Sequence, residues 1–353
     1  MATKQHSGAN VAFKVHIRQT DETIEVGADG TVLEAALDAG IDYPFGCQSG
    51  NCGACKSRLL DGKVEMGEAY SEYALTPEER RQGLILACQA QPKTDLRVAW
   101  LELDETVMHP QRELDCSVAA LEQATHDIRV VRLKIDAGGP YNFSAGQYAR
   151  VTFPGQPPRD FSMANRPVGD VIEFHVRAMD GGSVSHWVAQ NLKPGDKVKA
   201  EGPMGLAFLR EKHTGPILAA AGGSGLAPIK SIVETALGEY GLKQPIHLYF
   251  GVRDERDLYL VDHFEALAAK HANLSFVPVL SAPSGDTERR TGFLHEAIAA
   301  DLKDLDGWKA YLAGPPVMVD AVAGLATKLG ARAEDVHADP FYNEHELTQR
   351  AGL

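Results

Sequence analysis

Residues 46–55 read Gly46-Cys47-Gln48-Ser49-Gly50-Asn51-Cys52-Gly53-Ala54-Cys55, and a fourth cysteine, Cys88, follows after 32 intervening residues. The spacing C-x4-C-x2-C followed by a distant cysteine is one with which thiolates hold a [2Fe–2S] cluster. Three thiolates must converge from one loop, so the loop has to curl tightly. Gly46, Gly50 and Gly53 permit that curl and a close backbone approach. Backbone N–H groups of such a loop can offset the negative charge on sulfur. A structural zinc site of four cysteines is the competing reading, but zinc sites usually pair their cysteines two and two, and here the grouping is three and one. Cys116 stands outside the pattern and reads as a small buried apolar residue.

Around this loop the first hundred residues have the texture of a small α+β domain. Phe13–Ile17 alternates like a strand, and Thr23–Val26 reads as a second. Thr31-Val32-Leu33-Glu34 has the spacing of a capping box, and Gly40 is placed to end the helix it would start. We expect this domain at 9–104 and a polar linker at 105–113, where His109-Pro110 falls.

From Cys116 to about Arg210, short alternating runs (Ile128–Ile135, Gln147–Phe153, Val171–Arg177, Lys197–Glu201) are separated by Gly, Pro and Asp. This spacing implies an antiparallel β-barrel, placed at 114–210. Its middle carries Arg159-Asp160-Phe161-Ser162. The guanidinium can pair with a phosphate, the aromatic ring can lie against an isoalloxazine, and the hydroxyl can approach flavin N5. Downstream, Gly181-Gly182-Ser183-Val184-Ser185 reads either as a plain strand-to-helix turn or as a backbone-rich helix start that receives a pyrophosphate.

From Pro216 the pattern alternates strand and helix: Ile217–Ala221, Pro228–Tyr240, Ile246–Phe250, His263–Lys270, Leu274–Leu280, His295–Leu302, Trp308–Leu312 and Met318–Leu329. Such alternation implies an α/β parallel sheet with right-handed crossovers, at 211–353. Gly222-Gly223-Ser224-Gly225-Leu226-Ala227-Pro228 sits between the first strand and its helix, where glycines let a pyrophosphate approach the helix N-terminus. It is not G-x-G-x-x-G. Gly314-Pro315-Pro316-Val317-Met318 repeats the strand–turn–helix context, and ligands of such sheets bind at the carboxyl ends of strands. Each loop alone also reads as ordinary turn chemistry.

Bulk properties narrow the function. A chain of 353 residues should hold two or three domains. With 44% hydrophobic and 24% charged residues it is globular in composition. A net charge of −13 argues against nucleic acid, which demands clustered Lys and Arg. The polar N-terminus lacks an apolar h-region, and Ile217–Ala221 is too short to span a bilayer, so we expect a cytoplasmic protein with no membrane partner. The thirteen histidines show no metalloprotease-like spacing.

Residues 10–104, through CQSGNCGAC and Cys88, resemble plant-type ferredoxins. The segments RDFS, GGSVS, GGSGLAP and GPPVM, in this order, resemble the ferredoxin–NADP⁺ reductase superfamily. The whole chain therefore resembles the reductase components of bacterial aromatic-ring oxygenases, which serve ring-hydroxylating dioxygenases and diiron monooxygenases such as phenol hydroxylase. The resemblance implies a β-grasp ferredoxin domain followed by a flavin barrel and a nicotinamide domain. It implies a [2Fe–2S] cluster on Cys47, Cys52, Cys55 and Cys88, and FAD at Arg159, Phe161 and Ser162, with Gly182, Ser183 and Ser185 near its pyrophosphate. Nicotinamide binding falls to Gly222, Gly223, Ser224, Gly225, Gly314, Pro315 and Pro316. Ser162 and Phe161 would act at the flavin ring. Phe341 either shields the flavin's other face or simply anchors the C-terminal segment.

The implied activity is hydride transfer from NADH to FAD, then single-electron delivery through the cluster to a transiently docked oxygenase component, a Rieske dioxygenase or a diiron hydroxylase. Relatives often carry Tyr where Phe161 stands and Cys where Ala313 stands. NADPH-specific relatives place basic residues after the third strand of the sheet. Here that segment is Ser281-Ala282-Pro283-Ser284, which implies NADH, although Arg253 and Arg289 stand nearby. The competing functions are a flavin reductase or diaphorase for small acceptors, and a non-enzymatic electron-relay module.

Overall fold

The computed structural model describes residues 12–46, 48, 50, 53–67, 70–71, 74–101, 109–179 and 182–342. These fall into two compact units, one reaching Leu101 and one starting at His109.

The first unit is a sheet with one main helix. Its strands are β1 (Ala12–Ile17), β2 (Glu22–Gly27), β3 (Lys56–Asp61), β4 (Val64–Met66), β5 (Leu84–Leu86), β6 (Ala90–Pro92) and β7 (Leu96–Trp100). Five of them form a sheet in the order β2-β1-β7-β3-β5, and β4 pairs with β6 apart from it. The β1–β7 pair is parallel. Helix α1 (Val32–Asp38) buries Val32, Leu33 and Ala36 against a core that includes Val15, Ile17, Leu86 and Val98. Its start is the expected capping box: the Glu34 N–H donates to Thr31 Oγ1 at 3.2 Å, and the Thr31 N–H donates to Glu34 Oε2 at 3.1 Å. Gly40, at φ +75°, ends it in the left-handed conformation a side chain would oppose. A second, short helix, α2 (Pro77–Arg81), follows.

The second unit opens with an antiparallel sheet of β8 (Arg112–Gln123), β9 (Ile128–Ala137), β10 (Tyr148–Thr152), β11 (Arg159–Ser162), β12 (Val171–Arg177) and β13 (Lys197–Met204), in the order β11-β10-β13-β8-β9-β12. A bridge between Met163 and Phe174 brings the two edges together, so the barrel is nearly closed. Strand β8 was not among the four runs named from sequence. It begins at Arg112, inside the stretch read as linker, because Leu114, Cys116 and Val118 alternate inward even though charged residues open it. Cys116 lies in the barrel core, where burial first, then Asp136 and Asp115, push its thiol up to about 12.

The same unit continues into a wholly parallel sheet. After α3 (Ser183–Asn191) come β14 (Ile217–Gly222), α4 (Leu226–Gly238), β15 (Ile246–Val252), α5 (Val261–Lys270), β16 (Leu274–Leu280), β17 (Arg290–Thr291), α6 (Leu294–Asp301), β18 (Lys309–Gly314), α7 (Pro316–Lys328) and β19 (Val336–Pro340). The order is β17-β16-β15-β14-β18-β19. Every residue of β14 is buried, as a central parallel strand covered on both faces requires. Strand order reverses between β14 and β18, which opens a crevice at their carboxyl ends. Among the described residues, no helix is long and apolar enough to cross a membrane.

Candidate active site

Cys55 and Cys88 are buried side by side in the first unit, with the Cys88 N–H 3.4 Å from Cys55 Sγ. The Ala87 N–H donates to the Cys55 carbonyl at 3.1 Å, tying the distant segment to the loop. Gln48, Gly50 and Gly53 all have positive φ, so the backbone curls as three converging thiolates require. A side chain at position 53 would meet the Ala74 carbonyl at 3.2 Å. Cys47 and Cys52 lie outside the described residues.

In the second unit, Ser162 ends β11 and is 7% exposed. Its hydroxyl donates to Asp339 Oδ2 at 2.8 Å. Asp339 belongs to β19, so the barrel strand is joined to the last strand of the parallel sheet. One residue past β19, the Phe341 N–H donates to the Gly314 carbonyl at 2.8 Å. Ser162, Asp339, Phe341 and the Gly314-Pro315-Pro316 loop are thus brought together. Phe161 faces the other way, by strand alternation. Its ring stands edge-on to Phe153 and Phe174, at 5.9 and 6.3 Å between centroids, and stays partly exposed. Arg159 shares that parity and is also partly exposed.

Gly182 is the N-cap of α3, and no side chain caps it. A Cβ there would lie 2.7 Å from Ser185 Oγ, whose hydroxyl already bridges Met179 and Gly182. The helix start thus leaves its first N–H groups without a side-chain acceptor, in a backbone cradle too tight for a side chain. At the crevice of the parallel sheet the loops touch backbone to backbone. A Cβ on Gly225 would sit 2.1 Å from the Ala313 carbonyl, and one on Gly222 would sit 2.8 Å from Pro315. Only glycine allows this approach.

A buried polar cluster, invisible in the motif reading, locks barrel to sheet. The Glu173 carboxylate is 2.7 Å from Arg132 Nε, 3.2 Å from Lys230 Nζ and 3.3 Å from His175 Nε2. The other ring nitrogen of His175 is 2.9 Å from the Tyr259 hydroxyl, which lies 3.4 Å from the Gly223 carbonyl. Burial works to raise the pKa of Glu173, but His175, Lys230 and Arg132 outweigh it and hold the carboxyl well below its usual range. Burial pushes His175 down, against the pull of Glu173, so it stays neutral. From α4, Lys230 Nζ donates to the Ala164 carbonyl at 3.2 Å and Ser231 Oγ to the Asn165 carbonyl at 2.6 Å. Helix α4 thereby fixes the segment that follows RDFS. The available signal was Lys230, a charge near the start of the largely apolar Leu226–Leu237, with Glu234 one turn on.

The family model for the 2Fe-2S iron-sulfur cluster binding domain matches residues 15–93. The oxidoreductase FAD-binding domain matches 115–208, and the oxidoreductase NAD-binding domain matches 220–324. The reductase component of the naphthalene 1,2-dioxygenase system of Pseudomonas putida is 38% identical, over 92% of this chain and 98% of its own length. The reductase component of phenol 2-monooxygenase from a Pseudomonas species is 38% identical, over 94% of this chain and 95% of its own. This chain belongs to the reductase components of multicomponent oxygenase systems. The crystal structure of an Amycolatopsis cytochrome P450 reductase superposes on the reductase with a TM-score of 0.73 at 36% identity, covering 93% of this chain and 98% of that one.

The reductase therefore carries domains for FAD, NAD and a [2Fe–2S] cluster, and its residues fit all three groups. The buried Cys55, at the end of a loop with left-handed residues, beside Cys88 from a distant segment suits an iron–sulfur cluster. The glycine cradle at α3 and the Ser162 hydroxyl suit a flavin. The glycine contacts at the topological switch suit a dinucleotide.

Proposed function

We propose that this reductase takes a hydride from NADH onto FAD and passes electrons one at a time through its [2Fe–2S] cluster to an oxygenase component. That component is an aromatic-ring dioxygenase of Rieske type or a diiron hydroxylase, docked transiently in the cytoplasm. The observation that carries the reading is the convergence of Ser162, Asp339, Phe341 and Gly314, which joins the flavin motif to the nicotinamide loops. The names of the relatives, which serve dioxygenase and monooxygenase systems, support the choice of partner.

When bound, FAD supplies the change from a two-electron donor to one-electron release, and the protein supplies position and electrostatics. In this reading the Ser162 oxygen would approach the flavin ring at N5, with Asp339 holding the hydroxyl in one orientation. Phe161 would pack against the flavin plane, and Phe341 would shield its other face. Arg159 pairs with the FAD pyrophosphate, whose remaining charge falls to Gly182, Ser183, Ser185 and the α3 N-terminus. Gly222, Gly223, Ser224 and Gly225, with Gly314, Pro315 and Pro316, hold the nicotinamide dinucleotide. Cys47, Cys52, Cys55 and Cys88 hold the cluster. The domains then run 9–104, 112–210 and 211–353, with 105–111 as linker.

The test is an anaerobic visible spectrum before and after NADH, then NADPH. Flavin bands with an iron–sulfur shoulder, bleached quickly by NADH and slowly by NADPH, are expected. Flavin bands without the shoulder would overturn the cluster assignment. In parallel, Cys52→Ser should abolish reduction of cytochrome-like one-electron acceptors and spare ferricyanide reduction. Unchanged reduction of both acceptors would sink the relay.

A further inference from the structure

Two loops meet beyond the carboxyl ends of β15 and β16. One, Arg253–Asp257, follows β15; the other, Ser281–Arg289, joins β16 to β17. They are laced together. The Ser284 N–H donates to Asp254 Oδ1 at 3.1 Å, and Thr287 Oγ1 donates to Glu255 Oε1 at 2.6 Å. Arg289 Nε donates to Glu255 Oε2 at 3.2 Å, and Arg289 Nη1 lies 3.9 Å from Glu265 on α5.

Dinucleotides lie across the carboxyl ends of such sheets. A carboxylate beyond the second strand suits an unmodified adenosine ribose, and an arginine suits a 2′-phosphate. Arg289 is a base within these loops that suits a 2′-phosphate, and its guanidinium is already matched by Glu255. The pair is partly exposed, at 31% and 47%, so it adds little to stability. Its consequence is for ligands. A 2′-phosphate arriving here meets the Glu255 carboxylate and an occupied arginine, whereas a 2′-hydroxyl meets a ready acceptor. Arg253 and Arg256 are exposed on the same loop, and Asp254 is engaged in capping it.

We propose that Glu255, by holding Arg289, is the residue that selects nicotinamide dinucleotides lacking a 2′-phosphate. The proposal rests on the reading of this sheet as the nicotinamide domain of an NADH-using reductase.

The experiment compares the intact holoprotein with Glu255→Gln and with Glu255→Gln/Arg289→Ala. Calorimetry measures binding of adenosine 2′,5′-bisphosphate against adenosine 5′-monophosphate, and ferricyanide assays give the NADPH-to-NADH ratio of kcat/KM. Glu255→Gln should shift both ratios toward the 2′-phosphate by about tenfold or more, and removing Arg289 should cancel the shift. Unmoved ratios in Glu255→Gln, or a shift that survives loss of Arg289, would overturn the proposal. Binding ratios that move as expected in a protein unable to oxidise either nucleotide would support it and sink the reductase reading instead.

Discussion

Ser162 and Asp339 are 177 positions apart, yet their side chains share a hydrogen bond of 2.8 Å. The serine could be found in the sequence because it sits in a four-residue motif. The aspartate could not, because nothing local marks one acidic residue in Val336–Pro340 as the partner of a barrel strand. Ser162→Ala removes that bond and any bond to the flavin while leaving the small volume filled. We expect flavin reduction by NADH to slow by about 10- to 100-fold, with FAD content unchanged. Stopped-flow absorbance measures it, and an unaltered rate would remove Ser162 from the chemistry. Glu173 behaves differently. Its carboxylate is shared by Arg132, Lys230 and His175, so Glu173→Gln takes one of two carboxylates from the largely buried Lys230 and from the half-buried Arg132, which keep Glu234 and Glu122. The cost should be about 3 kcal/mol, seen as a melting temperature lower by about 6–12 °C for the flavin-releasing transition.

Elements explain which motifs hold under substitution. The first turn of α1 depends on Thr31 and Glu34 capping each other's backbone. Thr31→Ala should cost about 1 kcal/mol. In a urea titration the iron–sulfur absorbance should then bleach at lower denaturant while flavin release stays in place, since the helix packs into the first unit's core. At the other end of the chain, β14, the turn at Gly223–Gly225 and α4 press against β18. A methyl group at position 225 would meet the Ala313 carbonyl at 2.1 Å, and backbone cannot yield as a flexible side chain does. Gly225→Ala should lower kcat/KM for NADH by about 100-fold or more, because a displaced loop misplaces the nicotinamide. FAD and iron content should be retained, and steady-state kinetics with ferricyanide provide the check. The capping box, most strands and the helices of the parallel sheet were readable locally. Strand β19 was not: every residue in it is only half-buried, so it has no periodicity to read.

For the molecule as a whole, acid should act on the second unit through two of its histidines and Glu173. His175 and His337 are both held below the ordinary histidine value of 6.5, chiefly by burial. The His337 ring is stacked on Tyr311, and its Nε2 has no hydrogen-bond partner among the described residues. The unfolded chain takes up those protons near 6.5 and the folded one does not, so stability begins to fall as pH drops through that value. Glu173 has the depressed carboxyl, so its stabilisation is complete above 4.5 and is lost as pH falls further. Melting temperature for flavin release should therefore be flat above about pH 7 and decline steadily from 6.5 downward. His337→Phe should flatten the first part of the decline, and a melting temperature indifferent to pH between 7 and 5 would contradict the assignment. What the sequence by itself determined is what short-range spacing encodes: the cysteine loop, the order of three domains, the glycine turns and the flavin motif, each legible because its chemistry needs neighbours within a few residues. What only the tertiary structure decided is the set of long-range pairs: Asp339 with Ser162, Glu173 with Lys230 and His175, Glu255 with Arg289. A lone charged residue looks alike in sequence on a solvated surface and in a buried cluster, and chain folding alone chooses which opposite charge it meets.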